Sequence, residues 1–109
     1  MMYEQMHLFD FIDKEKEPEP GEWVDGHGPV IPHIMRRGFI GKKIVMDYST
    51  QSHKWYKVGI LEKVLTDKYW SRDGKWVECD RSIVYDGQKQ RCSILHMPGN
   101  EIFELGEIT

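Results

Sequence analysis

The sequence predicts a mainly β protein, a small antiparallel barrel or curled sheet with a flexible N-terminal arm. Three observations point there. Segments rich in β-branched and aromatic residues recur at short intervals from residue 42 onward. Asp-Gly pairs, a strong short-range hairpin signal, stand between neighbouring segments at Asp73-Gly74 and Asp86-Gly87. Residues 13–22 read DKEKEPEPGE, too charged and proline-rich to order themselves by burial.

Residues 1–22 form the expected acidic arm, a short apolar peptide followed by that charged stretch, and residues 23–109 form the expected β-rich domain. Between residues 23 and 41, Gly26, Gly28, Pro29, Pro32, Gly38 and Gly41 recur too often for a long helix. An irregular lead-in is expected there. Five or six short strands follow in KKIVMDY, WYKVGILEKVL, KYWSRDGKWVE, RSIVYDGQKQRCSIL and NEIFEL. In the second of these, Ile60, Leu61, Val64 and Leu65 also satisfy a helical period, and Val58 and Gly59 favour the strand. Both Asp-Gly pairs predict two-residue type I′ turns, and Met97-Pro98-Gly99-Asn100 predicts a third turn before a last strand over residues 101–105. Strands so spaced suit a barrel of SH3-like kind.

A chain of 109 residues has the size of one domain with one modest core. Its hydrophobic fraction of 39% lies below the usual ~45–50%, so the four Trp, five Tyr and four Phe are expected to serve the core first and contacts second. No apolar run approaches the ~18 residues of a membrane span, and Glu4 and Gln5 interrupt any leader-like opening. A cytoplasmic protein without membrane contact is expected. Cys79 and Cys92 are read as free, mostly buried thiols, because short secreted domains held by disulfides normally carry more cysteines.

The net charge of −3 hides a separation. Residues 1–25 carry eight acids against Lys14 and Lys16, whereas residues 33–91 carry thirteen Lys and Arg against seven acids. An acidic arm on a basic body results.

The first functional signal is Gln5-Met6-His7-Leu8-Phe9 with Phe11 beyond, a glutamine three residues ahead of a Leu-Phe pair. It resembles the peptides by which bacterial polymerases and repair proteins dock on the sliding clamp. The resemblance implies that Leu8 and Phe9 fill an apolar pocket while Gln5 hydrogen-bonds at its rim. The competing use of Leu8, Phe9, Phe11 and Ile12 is an edge strand or helical turn folded back on the body. The wider opening, residues 3–11, is similar to the start of small proteins encoded on phages and mobile elements of gut Firmicutes. Such proteins include anti-CRISPR inhibitors, and the resemblance implies a protein that binds a Cas effector. No motif of that activity is present, so no functional residue is transferred.

The second signal interleaves basic and aromatic residues: Lys54-Trp55-Tyr56-Lys57, Lys68-Tyr69-Trp70-Ser71-Arg72 and Lys75-Trp76, with Lys89 and Arg91 beyond. Single-stranded nucleic acid wants this chemistry, since bases stack on aromatic faces while cations neutralise phosphates. Simple strand alternation also produces it, with aromatics in the core and lysines in water. Cys79, Cys92 and His96 lack the close pairing of a structural zinc site, and on a strand residues 92 and 96 lie ~13 Å apart. No phosphate loop, nucleophile elbow or metalloprotease motif occurs. No metal, cofactor or catalytic residue is therefore expected.

The reading that results is a non-catalytic interaction protein binding a nucleic-acid-handling protein, in its most concrete form a Cas9-type effector. Gln5, Leu8, Phe9, Phe11, Trp55, Tyr56, Trp70 and Trp76 are its expected contacts. The alternatives are a single-stranded nucleic-acid-binding barrel using Lys54, Lys57, Lys68, Arg72, Lys75, Lys89 and Arg91, and a sliding-clamp client.

Overall fold

The computed structural model describes residues 17–106. Gln5, Leu8, Phe9 and Phe11 therefore lie outside the described residues. Six strands form one antiparallel sheet: β1 Trp23–Val24, β2 Lys43–Asp47, β3 Tyr56–Trp70, β4 Trp76–Tyr85, β5 Cys92–Leu95 and β6 Ile102–Glu104. Their order is β5-β4-β3-β2-β6, with β1 pairing β3 beside the start of that strand. The sheet curls but does not close, so the barrel alternative gives way to an open sheet. A seven-residue 3₁₀ helix, His33–Phe39, occupies the irregular lead-in between Pro32 and Ile40.

The segments WYKVGILEKVL and KYW join into one fifteen-residue strand, because Val64, Leu65, Thr66 and Tyr69 sustain β propensity across Asp67. Its first part pairs with β2, from Asp47↔Tyr56 to Lys43↔Ile60. A bulge at Glu62 then shifts its register against β4 between Leu61 and Lys63. Beyond it β3 has only β4 as neighbour, and β5 stops opposite Arg81. The last residues of β3 and the first of β4 thus form a two-stranded ribbon.

Both faces of the paired region are covered. Ile31, Ile44, Met46, Leu61, Val84 and Ile102 form the main cluster, with Phe39 and Ile94 packed against it. Val45, Tyr56 and Phe103 form a smaller cluster behind, over which the His27 ring stacks on Phe103 at 3.8 Å. Each such side chain, fully buried, contributes about 1.5–3 kcal/mol. Gly59 sits where β3 and β4 press together, and a Cβ there would collide with Val84 and Met46 Cε.

Residues 17–22 of the expected arm lie against this body. Glu17 and Glu19 pair with Lys43, Gly21 N–H donates to Val58 O, and Val58 N–H donates to Glu22 O. Among the described residues no helix is long and apolar enough to cross a membrane. Cys79 and Cys92 are free and half-buried.

The Asp-Gly corners both join antiparallel strands, but neither is a two-residue turn. At the first, Gly74 N–H donates to Ser71 O and Ser71 N–H to Lys75 O, with Gly74 at φ 77°. That is a three-residue loop ending in a glycine bulge, which suits the twist of the ribbon as well as a type I′ turn does. At the second, the last pair is Val84↔Cys92, so a longer loop intervenes. The third turn forms as expected, with Asn100 N–H donating to Met97 O and Gly99 at φ 94°.

Candidate functional site

All four tryptophans stand on the surface, from 43% exposed at Trp55 to 59% at Trp70 and Trp76. The expectation that aromatics serve the core first fails for them. Alternation had put them on the strand faces that a core uses, but those faces lie where the sheet runs out of covering layers. Tyr56 takes the opposite course: expected as a contact, it is buried against Val45 and Phe103.

At the start of β3, Trp23 from β1 meets Tyr48 edge-on at 5.6 Å and Trp55 at 5.5 Å, and His53 lies 4.5 Å from Trp55. Pairing Trp23↔Lys57 and the bond from Tyr48 N–H to Trp55 O bring these distant residues together. Lys57 fills the space between the rings, its Nζ 5.2 Å from the Trp23 ring and 5.9 Å from the Tyr48 ring. This is an aromatic cage holding the chain's own ammonium group.

Behind the cage lies Asp86, only 3% exposed. Its Oδ2 accepts from Lys57 Nζ at 3.2 Å and from the Cys92 thiol at 3.1 Å, and its Oδ1 from Gln88 N–H. Burial opposes ionisation of Asp86, yet these hydrogen bonds outweigh it and hold its pKa below the ordinary 3.8. The Cys92 sulfur in turn accepts from the Tyr48 hydroxyl at 3.4 Å. Burial and the adjacent carboxylate raise the thiol pKa, so Cys92 stays protonated and unreactive.

At the other end of β3, Trp70 and Trp76 are direct cross-strand partners with rings edge to face at 5.2 Å, and Lys68 Nζ lies 4.9 Å from the Trp76 ring. Arg72 and Lys75 are exposed in the adjoining loop. The register puts both aromatic groups on one sheet face. Trp76 and Val84 are an even number of residues apart on β4, Val84 opposes Leu61, and Leu61 is four residues from Lys57 on β3.

The basic residues expected at phosphates are not alike. Lys57 is held by Asp86, and Arg91 by Glu62 at 2.8 Å, while Lys54, Arg72, Lys75 and Lys89 stay exposed. Cys79 lies on the outward face of β4, away from Cys92 and His96. Among the described residues no group of three or more His, Cys, Asp or Glu is placed to hold a metal ion.

One serine–histidine pair has nucleophile-like geometry. Ser82 hydrogen-bonds His96 Nε2, and His96 Nδ1–H donates to Asn100 O. Ser82 is wholly buried, so no substrate reaches it, and burial lowers the His96 pKa to favour the neutral ring. The pair satisfies polar groups inside the sheet. Beside it Asp80 pairs with His33 Nδ1 at 3.3 Å, and Arg36 Nη2 donates to Glu101 Oε1 at 3.3 Å.

Sequence reasoning missed Trp23, Tyr48 and Asp86. Each joins the site through a partner far along the chain, and the only local hint was Trp23 standing alone after a charged stretch. No family model, no curated protein and no solved structure matches this chain.

Proposed function

We propose that the chain is a non-catalytic binding protein whose partner is another protein, engaged by the tryptophans at the two ends of β3. One observation carries this reading: every tryptophan is exposed, while two of the seven expected basic contacts, Lys57 and Arg91, are neutralised by Asp86 and Glu62. Protein interfaces draw their energy from a few aromatic anchors, whereas nucleic-acid grooves depend on unpaired cations. Trp70 and Trp76 on a two-stranded ribbon can enter a concave pocket that a flat sheet cannot reach. The resemblance of the opening residues supplies the most concrete partner, a Cas9-type effector, which an inhibitor of this kind blocks by occupancy.

The experiment titrates purified chain into Cas9-type complexes and follows DNA cleavage and complex formation. Inhibition that Trp70→Ala and Trp76→Ala each weaken at least about tenfold supports the reading. Unchanged cleavage with no complex removes the Cas form. The single-stranded nucleic-acid alternative rests on Lys68, Arg72 and Lys75 around the ribbon tip. It predicts binding to oligonucleotides that falls steeply with salt, where an aromatic protein contact falls slowly.

A further inference from the structure

The two ends of the strand order β5-β4-β3-β2-β6 differ. β6 is covered by the preceding lead-in: Ile31 N–H donates to Ile102 O, Glu104 N–H to Pro29 O and Gly28 N–H to Glu104 O. At β5 the bond from His96 N–H to Asp80 O sets the ladder alternation. Residues 92 and 94 share that phase and face β4, which turns the N–H and C=O of Ser93 and the N–H of Leu95 outward. Leu95 O is occupied by Met97 N–H and the Asn100 amide. Among the described residues nothing bonds the other three groups.

These groups border a cleft of about 440 Å³. Ser93, Ile94 and Leu95 make one wall and Met46–Ser49 the other, because the sheet curls until Tyr48 meets Cys92. Its volume is that of a ligand pocket. Among the described residues the only charged ones lining it, Asp47 and Glu101, are both acids, and Asp47 Oδ1 accepts from Ser49 N–H. Glu101 meets Arg36 through Oε1 alone.

We propose that the free edge of β5 and this acid-lined cleft form an acceptor site for an extended segment of a protein partner, which adds as a further strand and sets a lysine or arginine against Asp47 and Glu101. Main-chain bonds to Ser93 and Leu95 supply affinity, and the two carboxylates select the side chain. The site shares no residue with the Trp70–Trp76 pair and stands whether or not that pair binds a partner. The like charge of residues 1–16 disfavours the chain's own N-terminal segment as occupant, since its acids Glu4, Asp10, Asp13 and Glu15 outnumber Lys14 and Lys16.

The test uses the full chain, ¹⁵N-labelled, with three blocked pentapeptides: one alternating Val and Lys, one alternating Val and Glu, and the first N-methylated on alternate amides. The lysine peptide is expected to slow amide exchange at Ser93 and Leu95 about tenfold at 90% occupancy. The glutamate peptide is expected to bind more weakly, and the N-methylated peptide not at all. Ser93→Pro removes an outward donor without breaking the ladder to β4, so the chain should stay folded and lose the effect. Three results would overturn the proposal. They are unchanged exchange with the lysine peptide, equal effects from the N-methylated one, and slow exchange of both amides in the free chain, which means the edge is already occupied.

Discussion

The same dipeptide turns the chain twice, in opposite surroundings. Asp73-Gly74 caps the ribbon in solvent, and a Cβ on Gly74 meets nothing nearer than Trp70 at 3.9 Å. Asp86-Gly87 is folded into the body, with Asp86 binding Lys57 and Cys92 and a Cβ on Gly87 falling 2.9 Å from Pro20 O. The comparison separates two jobs that an Asp-Gly pair can hold. One is a corner that any positive-φ-tolerant residue serves. The other is a buried carboxylate that organises an aromatic cage and anchors the segment before β1.

Replacing the two aspartates gives the widest expected contrast. Asp86→Ala strands the Lys57 ammonium, 13% exposed, without its partner and should cost about 3 kcal/mol in urea unfolding. Adding Lys57→Met should recover much of that loss, since a buried ion pair is often replaceable by apolar side chains. Equal stability of Asp86→Ala and Asp73→Ala would break the comparison.

The glycines come next. Gly87→Ala suffers both its positive φ and the overlap with Pro20, and is expected to cost about 2–3 kcal/mol. Gly74→Ala suffers the φ penalty alone, about 1 kcal/mol.

Acid sharpens the comparison further. The folded pKa of Asp86 lies below 3.8, so its stabilisation is present above that pH and is lost as the pH falls through the folded value. His96 has a folded pKa below 6.5, so the unfolded chain takes up its proton first and stability declines as the pH drops below 6.5. Urea midpoints measured from about pH 8 to about pH 3 should therefore fall in two stages. Asp86→Asn should flatten the lower stage, and His96→Gln the upper. The smallest effect belongs to the exposed corner, where Asp73→Ala should stay within about 0.5 kcal/mol.

The strands were legible because β-branched and aromatic runs such as KIVM and SIVY carry their signal locally. The corners were legible only as corners. Loop length depends on which residues pair across the sheet, and nothing in Asp73-Gly74 or Asp86-Gly87 states that the last pairs are Trp70↔Trp76 and Val84↔Cys92. Alternation shows that Trp76 shares a face with Val84, but not that the covering layer ends between them. The Lys57–Asp86 pair links residues 29 apart in the chain, and no periodicity marks it. The long strand runs through Asp67, a residue of low β propensity, with its carboxylate satisfied across the ribbon by Arg81 Nε at 2.6 Å, a partner fourteen residues away that no local pattern marks.

One strand joins two tryptophan pairs, Trp23–Trp55 near its start with ring centroids 5.5 Å apart and Trp70–Trp76 at its end with centroids 5.2 Å apart. Indoles this close and this steeply tilted share their electronic excitation, and the shared state gives circular dichroism a paired positive and negative band that an isolated indole lacks. The molecule is thus optically labelled at both ends of β3 without any added dye. Trp76→Phe silences the tip and Trp55→Phe the base, so the two halves of one spectrum become separable. The ribbon, with a single neighbouring strand, should then be seen to fray on heating before the base signal changes.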